Sequence, residues 1–158
     1  MKKYFLKAFI FALPLSIILV SCGETKKKDI SDFQAKPTEQ ETAKASDPME
    51  NKGIGPVKSI TLGEVDQALA DAGKAIFDAN CTACHKVDKK FIGPSPKDIL
   101  SRRSPEWVMN MILNPEVMIQ EDPIGKQLLA EANGAPMANQ NLTEEQARQV
   151  LEYFRTLK

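Results

Sequence analysis

Length, composition and charge confine this chain to a few classes of protein. Its 158 residues are 42% hydrophobic and 27% charged, and these values fit one ordinary globular domain. The 21 basic and 21 acidic residues balance to a formal net charge of zero. Proteins that bind nucleic acid concentrate basic charge on one face, so we expect no nucleic acid as a partner.

The N-terminus has the pattern of an export signal. Three lysines precede an apolar run, residues 9–20, which ends just before Cys22. The run is too short, and too broken by Pro14, for a membrane-spanning helix, which needs about 20 apolar residues. We therefore expect residues 1–21 to be a signal peptide that is removed. Its three lysines leave with it, so the mature chain would be mildly acidic.

The segment around Cys22, Leu-Val-Ser-Cys-Gly, resembles the lipobox of bacterial lipoproteins. The resemblance implies that Cys22 carries the lipid and becomes the new N-terminus, on the periplasmic side of the cell envelope. Several acyl chains would hold the protein firmly, because each buried methylene contributes about 0.8 kcal/mol. The alternative is an ordinary signal peptide followed by a free cysteine.

Residues 22–60 are rich in Lys, Glu, Asp, Thr, Ser, Pro and Gly and show no sustained apolar period. Such a stretch cannot bury enough apolar surface to fold. It is interpreted as a flexible linker with an r.m.s. span of roughly 35 Å. The folded domain is expected to be residues 61–158.

Helical patterns fill this domain, and no convincing strand occurs. The first and last helices have the Thr-x-x-Glu/Gln form of a capping box, at Thr61 and Thr143. Prolines at the first helical position begin the two middle helices. The chain is therefore predicted to be all-α, with four or five short helices. The expected helices are 61–79, 105–113, 123–132 and 142–157.

The segment 81–85, Cys-Thr-Ala-Cys-His, contains the residues that indicate the chemistry of the domain. Two thiols at this spacing can add to the two vinyl groups of a haem, and the histidine that follows becomes an axial ligand of iron. A zinc site would need further cysteine or histidine ligands, which the domain lacks, and a thioredoxin-like dithiol belongs to a βαβ setting. The sequence predicts one covalent haem c held by Cys81, Cys84 and His85.

His85 is the only histidine in the chain. This excludes a second histidine as the other axial ligand, and it excludes histidine-based acid-base catalysis. Methionine is the favoured sixth ligand of the iron. Met118 and Met137 are the candidates, because they lie outside the predicted linker and the expected core. Met137 is preferred because it lies in an irregular loop ahead of the last helix.

The region from about residue 64 to the C-terminus resembles class I cytochromes c, and it covers the whole predicted domain. The resemblance implies the cytochrome c fold, wrapped around one haem. It also implies that Gly73 allows the first helix to cross the last one closely. In this family the carbonyl of the residue equivalent to Pro94 accepts a hydrogen bond from the proximal histidine. A plain turn at Pro94 is the alternative.

Arg102 and Arg103, followed by Trp107, resemble the family segment beside the haem propionates. Of these, Arg102 and Trp107 are the residues expected to bind the propionates. One core tryptophan with two solvated arginines would explain the same residues.

The resemblance implies a single-electron carrier, with iron held by His85 and Met137, and no enzyme activity or small-molecule substrate. Its partners would be an electron donor and a terminal reductase or oxidase of a membrane-associated respiratory chain. Residues 102–153 also resemble single-haem cytochromes of nitrous oxide respiration, which points to nitrous oxide reductase as an acceptor. The alternative is a haem enzyme or a gas or redox sensor with a labile distal ligand.

Overall fold

Five α-helices build the part of the protein that the computed structural model describes, residues 47–158. This part contains no strand, so the predicted all-α fold is confirmed. The predicted signal peptide, Cys22 and most of the predicted linker lie outside the described residues. The helices are α1 (Gln67–Asn80), α2 (Pro105–Leu113), α3 (Pro115–Glu121), α4 (Pro123–Glu131) and α5 (Glu144–Thr156), with a short 3-10 helix at Ile99–Ser101.

Most of the helix ends lie where local sequence signals place them. Ser104 and Asp122 cap α2 and α4, each ahead of a proline at the first helical position. The capping box of α5 is formed in full, with the Thr143 side chain and the Gln146 side chain each accepting a backbone N–H. These caps satisfy N–H groups that the first turn of a helix leaves without partners.

One predicted helix start was wrong, and one helix was not predicted. The first helix begins at Gln67 rather than near Thr61, because the carboxylate of Asp66 caps it by accepting the N–H of Leu69 at 3.1 Å. α3, which begins at Pro115, is not among the four expected helices. Proline fits the first helical position because that residue's N–H has no partner inside the helix.

The crossing of α1 and α5 organises the fold. At Gly73 the two backbones approach so closely that a Cβ atom would lie 1.9 Å from the carbonyl oxygen of Gln149. Beside this contact the ring of Phe77 packs at 5.6 Å from Tyr153 and 5.7 Å from Phe154, between ring centroids. The close crossing expected at Gly73 is therefore present.

Residues 51–60, here called the strap, pack against α2 and belong to the folded domain. Asn110 of α2 accepts the N–H of Val57 at 3.0 Å and donates to the carbonyls of Lys52 and Val57 at 2.8 and 2.9 Å. The side chain of Val57 is buried in the core. The folded domain thus begins before residue 61, where the sequence analysis expected its first residue. One buried asparagine gives the strap the hydrogen bonds that its own irregular backbone cannot make.

No helix within residues 47–158 has the length and apolar composition needed to cross a membrane.

Candidate haem site

The Cys-x-x-Cys-His segment leaves the end of α1 in a tight turn. The N–H of Cys81 still donates to Phe77 in the last turn of the helix, and the N–H groups of Cys84 and His85 both donate to the carbonyl of Cys81, at 3.0 and 2.8 Å. The turn brings both cysteines and the histidine to the wall of one cavity. Cys81 is half-buried and Cys84 is exposed.

The ring of His85 is held from behind by the Gly93-Pro94 segment. Its Nδ1 lies 2.8 Å from the carbonyl oxygen of Pro94, and since a carbonyl only accepts, Nδ1 carries the proton. Nε2 is then the nitrogen free to bind a metal. A Cβ atom on Gly93 would lie 2.3 Å from Cε1 of the ring. The contact that the family resemblance implied for Pro94 is present in the structure, and Gly93 makes room for it.

The cavity beyond these residues is enclosed mainly by apolar side chains. They come from α1, α2, α3, α4, α5 and the loops between them. An apolar cavity with two thiols and an oriented imidazole in its wall suits a flat, largely apolar macrocycle. Apolar residues of the helices in this wall include Phe77, Val108, Ile112, Ile119, Leu128 and Phe154.

The structure separates the two candidate methionines. Met137 lies between α4 and α5, is half-buried, and lines the cavity. Met118 is 0% exposed, does not line the cavity, and its sulfur accepts the N–H of Ile54 in the strap at 3.0 Å. Met118 is therefore bound to the strap. Met137 is the one of the two methionines that can reach a group in the cavity.

Trp107 and Arg102, the residues predicted to bind the haem propionates, have hydrogen-bond partners within the protein. The indole N–H of Trp107 donates to Asp122 at 3.0 Å, so it is not available to a haem propionate, although the ring lines the cavity. The guanidinium of Arg102 donates to the carbonyls of Ser95 and Lys97 at 3.1 and 2.8 Å on the exposed surface. Backbone carbonyls thus hold Arg102 in place, at the edge of the cavity.

Arg103, which is not among the predicted site residues, is the arginine with a buried N–H that lacks a hydrogen-bond partner among residues 47–158. Its Nε is buried and has no hydrogen-bond partner among residues 47–158, and its guanidinium lies 5.5 Å from the centre of the Trp107 ring. Burial, and then the charge of Arg102, lower the pKa of Arg103. A partly buried cation with an N–H that has no acceptor favours an anionic partner, and the side chain lines the cavity. Nothing in the Arg-Arg pair of the sequence distinguishes the two residues.

The thiol chemistry of the motif argues against a dithiol redox site. Burial, with a smaller effect from Cys84, raises the pKa of Cys81 as a free thiol to about 11. Redox-active cysteines have lowered pKa values because the thiolate is the reactive form. A thioether needs no thiolate once it has formed, so the same burial is compatible with covalent attachment. No cluster of three His, Cys, Asp or Glu side chains within residues 47–158 is placed to hold a metal ion alone.

This arrangement defines a protein that binds haem covalently through a Cys-x-x-Cys-His motif. The family model described as cytochrome c matches residues 70–158, more than half of the sequence, and the chain belongs to the cytochrome c family. As a member of that family the protein carries one covalently bound haem c and transfers electrons to redox partner proteins.

Individual relatives agree with this assignment. Cytochrome c-551 of Stutzerimonas stutzeri is 30% identical over 96 residues, which is 58% of this chain and 82% of the relative. A solved cytochrome c from Rhodothermus marinus is 50% identical, has a TM-score of 0.63, and aligns over 65% of this chain and 89% of its own. An engineered form of that protein bound to a carbene intermediate is 49% identical, with a TM-score of 0.60 and the same coverage of both chains.

Proposed function

We propose that this protein is a mono-haem electron carrier whose iron is held by His85 and Met137. The observation that carries the proposal is that Cys81, Cys84, His85 and Met137 all line one apolar cavity. The haem supplies an iron that takes up and releases one electron. Ligation by methionine and histidine raises the reduction potential of such a centre, so the carrier would be fairly oxidising.

The residues around the cavity have separate tasks in this proposal. Cys81 and Cys84 bind the macrocycle, and the carbonyl of Pro94 fixes the orientation and the tautomer of His85. Arg103 replaces Arg102 as the residue that pairs with a haem carboxylate, because its buried Nε lacks any other partner among residues 47–158. The apolar walls exclude water, which keeps the ligands in place during transfer.

The axial ligand can be tested by absorption spectroscopy. Oxidised wild-type protein should show the weak near-infrared band of a methionine-iron bond. Met137→Ala should lose this band, whereas Met118→Leu, at the buried strap contact, should keep it. A band that survives in Met137→Ala would show that another residue binds the iron.

The same samples test the alternative of a sensor or enzyme. Reduced wild-type protein with a firmly bound methionine should not bind carbon monoxide at neutral pH. Binding to the wild type would mean that the distal ligand is labile, which favours a gas sensor or a haem enzyme over a carrier.

The proposal places the carrier on the periplasmic side of a membrane, attached through lipid on Cys22. The lipobox-like sequence supports this, and residues 23–50 would then separate the lipid from the strap. Cys22→Ala should move the holoprotein from the membrane fraction to the soluble fraction. A variant that stays with the membrane would refute the lipid anchor.

The electron acceptor is proposed to be a terminal reductase or oxidase, with nitrous oxide reductase as the specific candidate. The resemblance of residues 102–153 to cytochromes of nitrous oxide respiration supports this choice. Stopped-flow mixing of the reduced carrier with oxidised nitrous oxide reductase should give rapid, salt-dependent oxidation of the haem. A rate no faster than with an unrelated copper protein would exclude this acceptor.

A further inference from the structure

Asp122 combines a buried charge with an unusual set of partners. It is 2% exposed. Its Oδ1 accepts the indole N–H of Trp107 at 3.0 Å and the N–H of Gly125 at 2.8 Å, and its Oδ2 accepts the side-chain N–H of Asn51 at 2.7 Å. All three donors are neutral, and none of the ion pairs found within residues 47–158 includes Asp122.

Capping a helix does not require this charge. The buried cap of α2 is the hydroxyl of Ser104, and the cap of α5 is the hydroxyl of Thr143. The other carboxylate cap, Asp66, is exposed to water. Burying a carboxylate among neutral donors costs free energy that a serine at the same position would avoid. The buried charge of Asp122 therefore needs an explanation other than capping the N-terminus of α4.

Trp107 connects the carboxylate to the haem cavity. The indole is 3% exposed, lines the cavity with its ring and points its N–H at Asp122. The guanidinium of Arg103 lies over the same ring, and Asp122 contributes to holding its proton. The negative charge is thus one indole side chain away from the cavity, on a buried path where solvent screens it weakly.

We propose that Asp122 is a positioning residue of the haem site, whose buried carboxylate fixes the Trp107 indole and holds the reduction potential lower than the axial ligands alone would set it. A negative charge stabilises oxidised iron over reduced iron, because the oxidised centre carries one more positive charge. The inference rests on the proposed function, since it requires a haem in the cavity.

The experiment is a spectroelectrochemical titration of the holoproteins at one pH and one ionic strength. Asp122→Asn keeps an amide oxygen that can accept from Trp107 and cap α4, but it removes the charge. Its midpoint potential should be more positive than that of the wild type, and its near-infrared band should be unchanged. Asp122→Ser, with a neutral cap like that of α2, should shift the potential in the same direction and covers the case in which Asp122→Asn does not fold.

Three controls separate the charge from the structure around it. Glu121→Gln removes an equal charge from the neighbouring, exposed residue, and should shift the potential much less because water and salt screen that site. Trp107→Phe and Asn51→Ala each remove one hydrogen bond to Asp122 and leave its charge, so neither should make the potential more positive.

The outcomes are distinguishable. An unchanged potential in both Asp122 variants would overturn the inference while leaving the electron carrier intact. Equal positive shifts in the Asp122, Trp107 and Asn51 variants would also overturn it, because they would indicate a general loosening of the site. Absence of the near-infrared band from the wild type would instead refute the methionine ligation proposed above.

Discussion

Replacement of Gly73 by alanine tests the close crossing of α1 and α5 directly. A Cβ at residue 73 would lie 1.9 Å from the carbonyl oxygen, 2.4 Å from the carbonyl carbon of Gln149 and 2.8 Å from the N atom of Val150. All three are backbone atoms of a helix, so none can rotate out of the way. To restore even a 3.0 Å contact with the oxygen, the helices must part by about 1.1 Å.

The Gly73→Ala substitution has two opposing effects on the free energy of unfolding: a gain in helix propensity and a loss from the clash with α5. Alanine in place of glycine stabilises a helix interior by about 1 kcal/mol. Overpacking a core costs about 1–3 kcal/mol, occasionally more, and a clash with rigid backbone belongs at the upper end. Separation of the helices would also loosen the packing of Phe77 and Leu151, both fully buried. We expect a net loss of about 2–3 kcal/mol in the free energy of unfolding.

The assay is urea unfolding of the holoprotein followed by far-ultraviolet circular dichroism. For a slope of about 1.5–2 kcal/mol/M, the midpoint of Gly73→Ala should fall by about 1–2 M urea. Gly63→Ala is the matched control, because no atom lies within 4 Å of its added Cβ, and its change should stay within about 0.5 kcal/mol. A midpoint for Gly73→Ala equal to or above that of the wild type would refute the reasoning.

Three further substitutions have defined outcomes. Gly93→Ala would force the ring of His85 away from the Pro94 carbonyl, since the new Cβ would lie 2.3 Å from Cε1, and the fraction of purified protein carrying haem should fall. Glu152→Gln would leave two arginines of α5 without the fully buried carboxylate that pairs with both, and should cost about 2–4 kcal/mol in urea unfolding. Asn110→Ala would remove three hydrogen bonds to the strap, and should cost about 2–4 kcal/mol and speed proteolysis near residue 55.

Each of these variants has a reference in the same chain. Gly63→Ala controls for Gly93→Ala in haem content, and equal haem content would contradict the role given to Gly93. Glu145→Gln, at an exposed position of α5, should leave stability within about 0.5 kcal/mol. Asn139→Ala, whose side chain bonds only at the surface, should do the same. A buried variant that behaves like its surface reference would show that its contacts contribute little.

Most helix ends and the haem motif could be predicted from the sequence because the signals for them are local. A cap, a proline at the first helical position and the Cys-x-x-Cys-His spacing all act over a few consecutive residues. For this reason the bounds of α2 were predicted to the residue and α4 and α5 to within two. Local reading failed where two caps compete over a short span, as Thr61 and Asp66 do, because only packing decides which of them begins the helix.

The strap shows why composition can mislead. Residues 51–60 have the Lys-, Gly- and Pro-rich composition of a linker, and their own side chains bury little. Their backbone is held instead by Asn110, more than 50 residues away in the sequence. No pattern within the segment records a partner at that distance.

Residue types at fixed short spacings predict the class of protein, its covalent haem and its proximal ligand. Tertiary packing places Met137, and not Met118, at the cavity wall, and it gives Arg103, unlike Arg102, a buried Nε without a partner among residues 47–158. Met118 and Met137 both lie outside the motif, and Arg102 and Arg103 are neighbours, so their burial and partners follow from how the helices pack. The tertiary structure also revealed that Asp122, readable only as a helix cap, touches the indole at the haem wall. Contacts between residues far apart in the chain form only when the whole domain folds, and these contacts assign the roles.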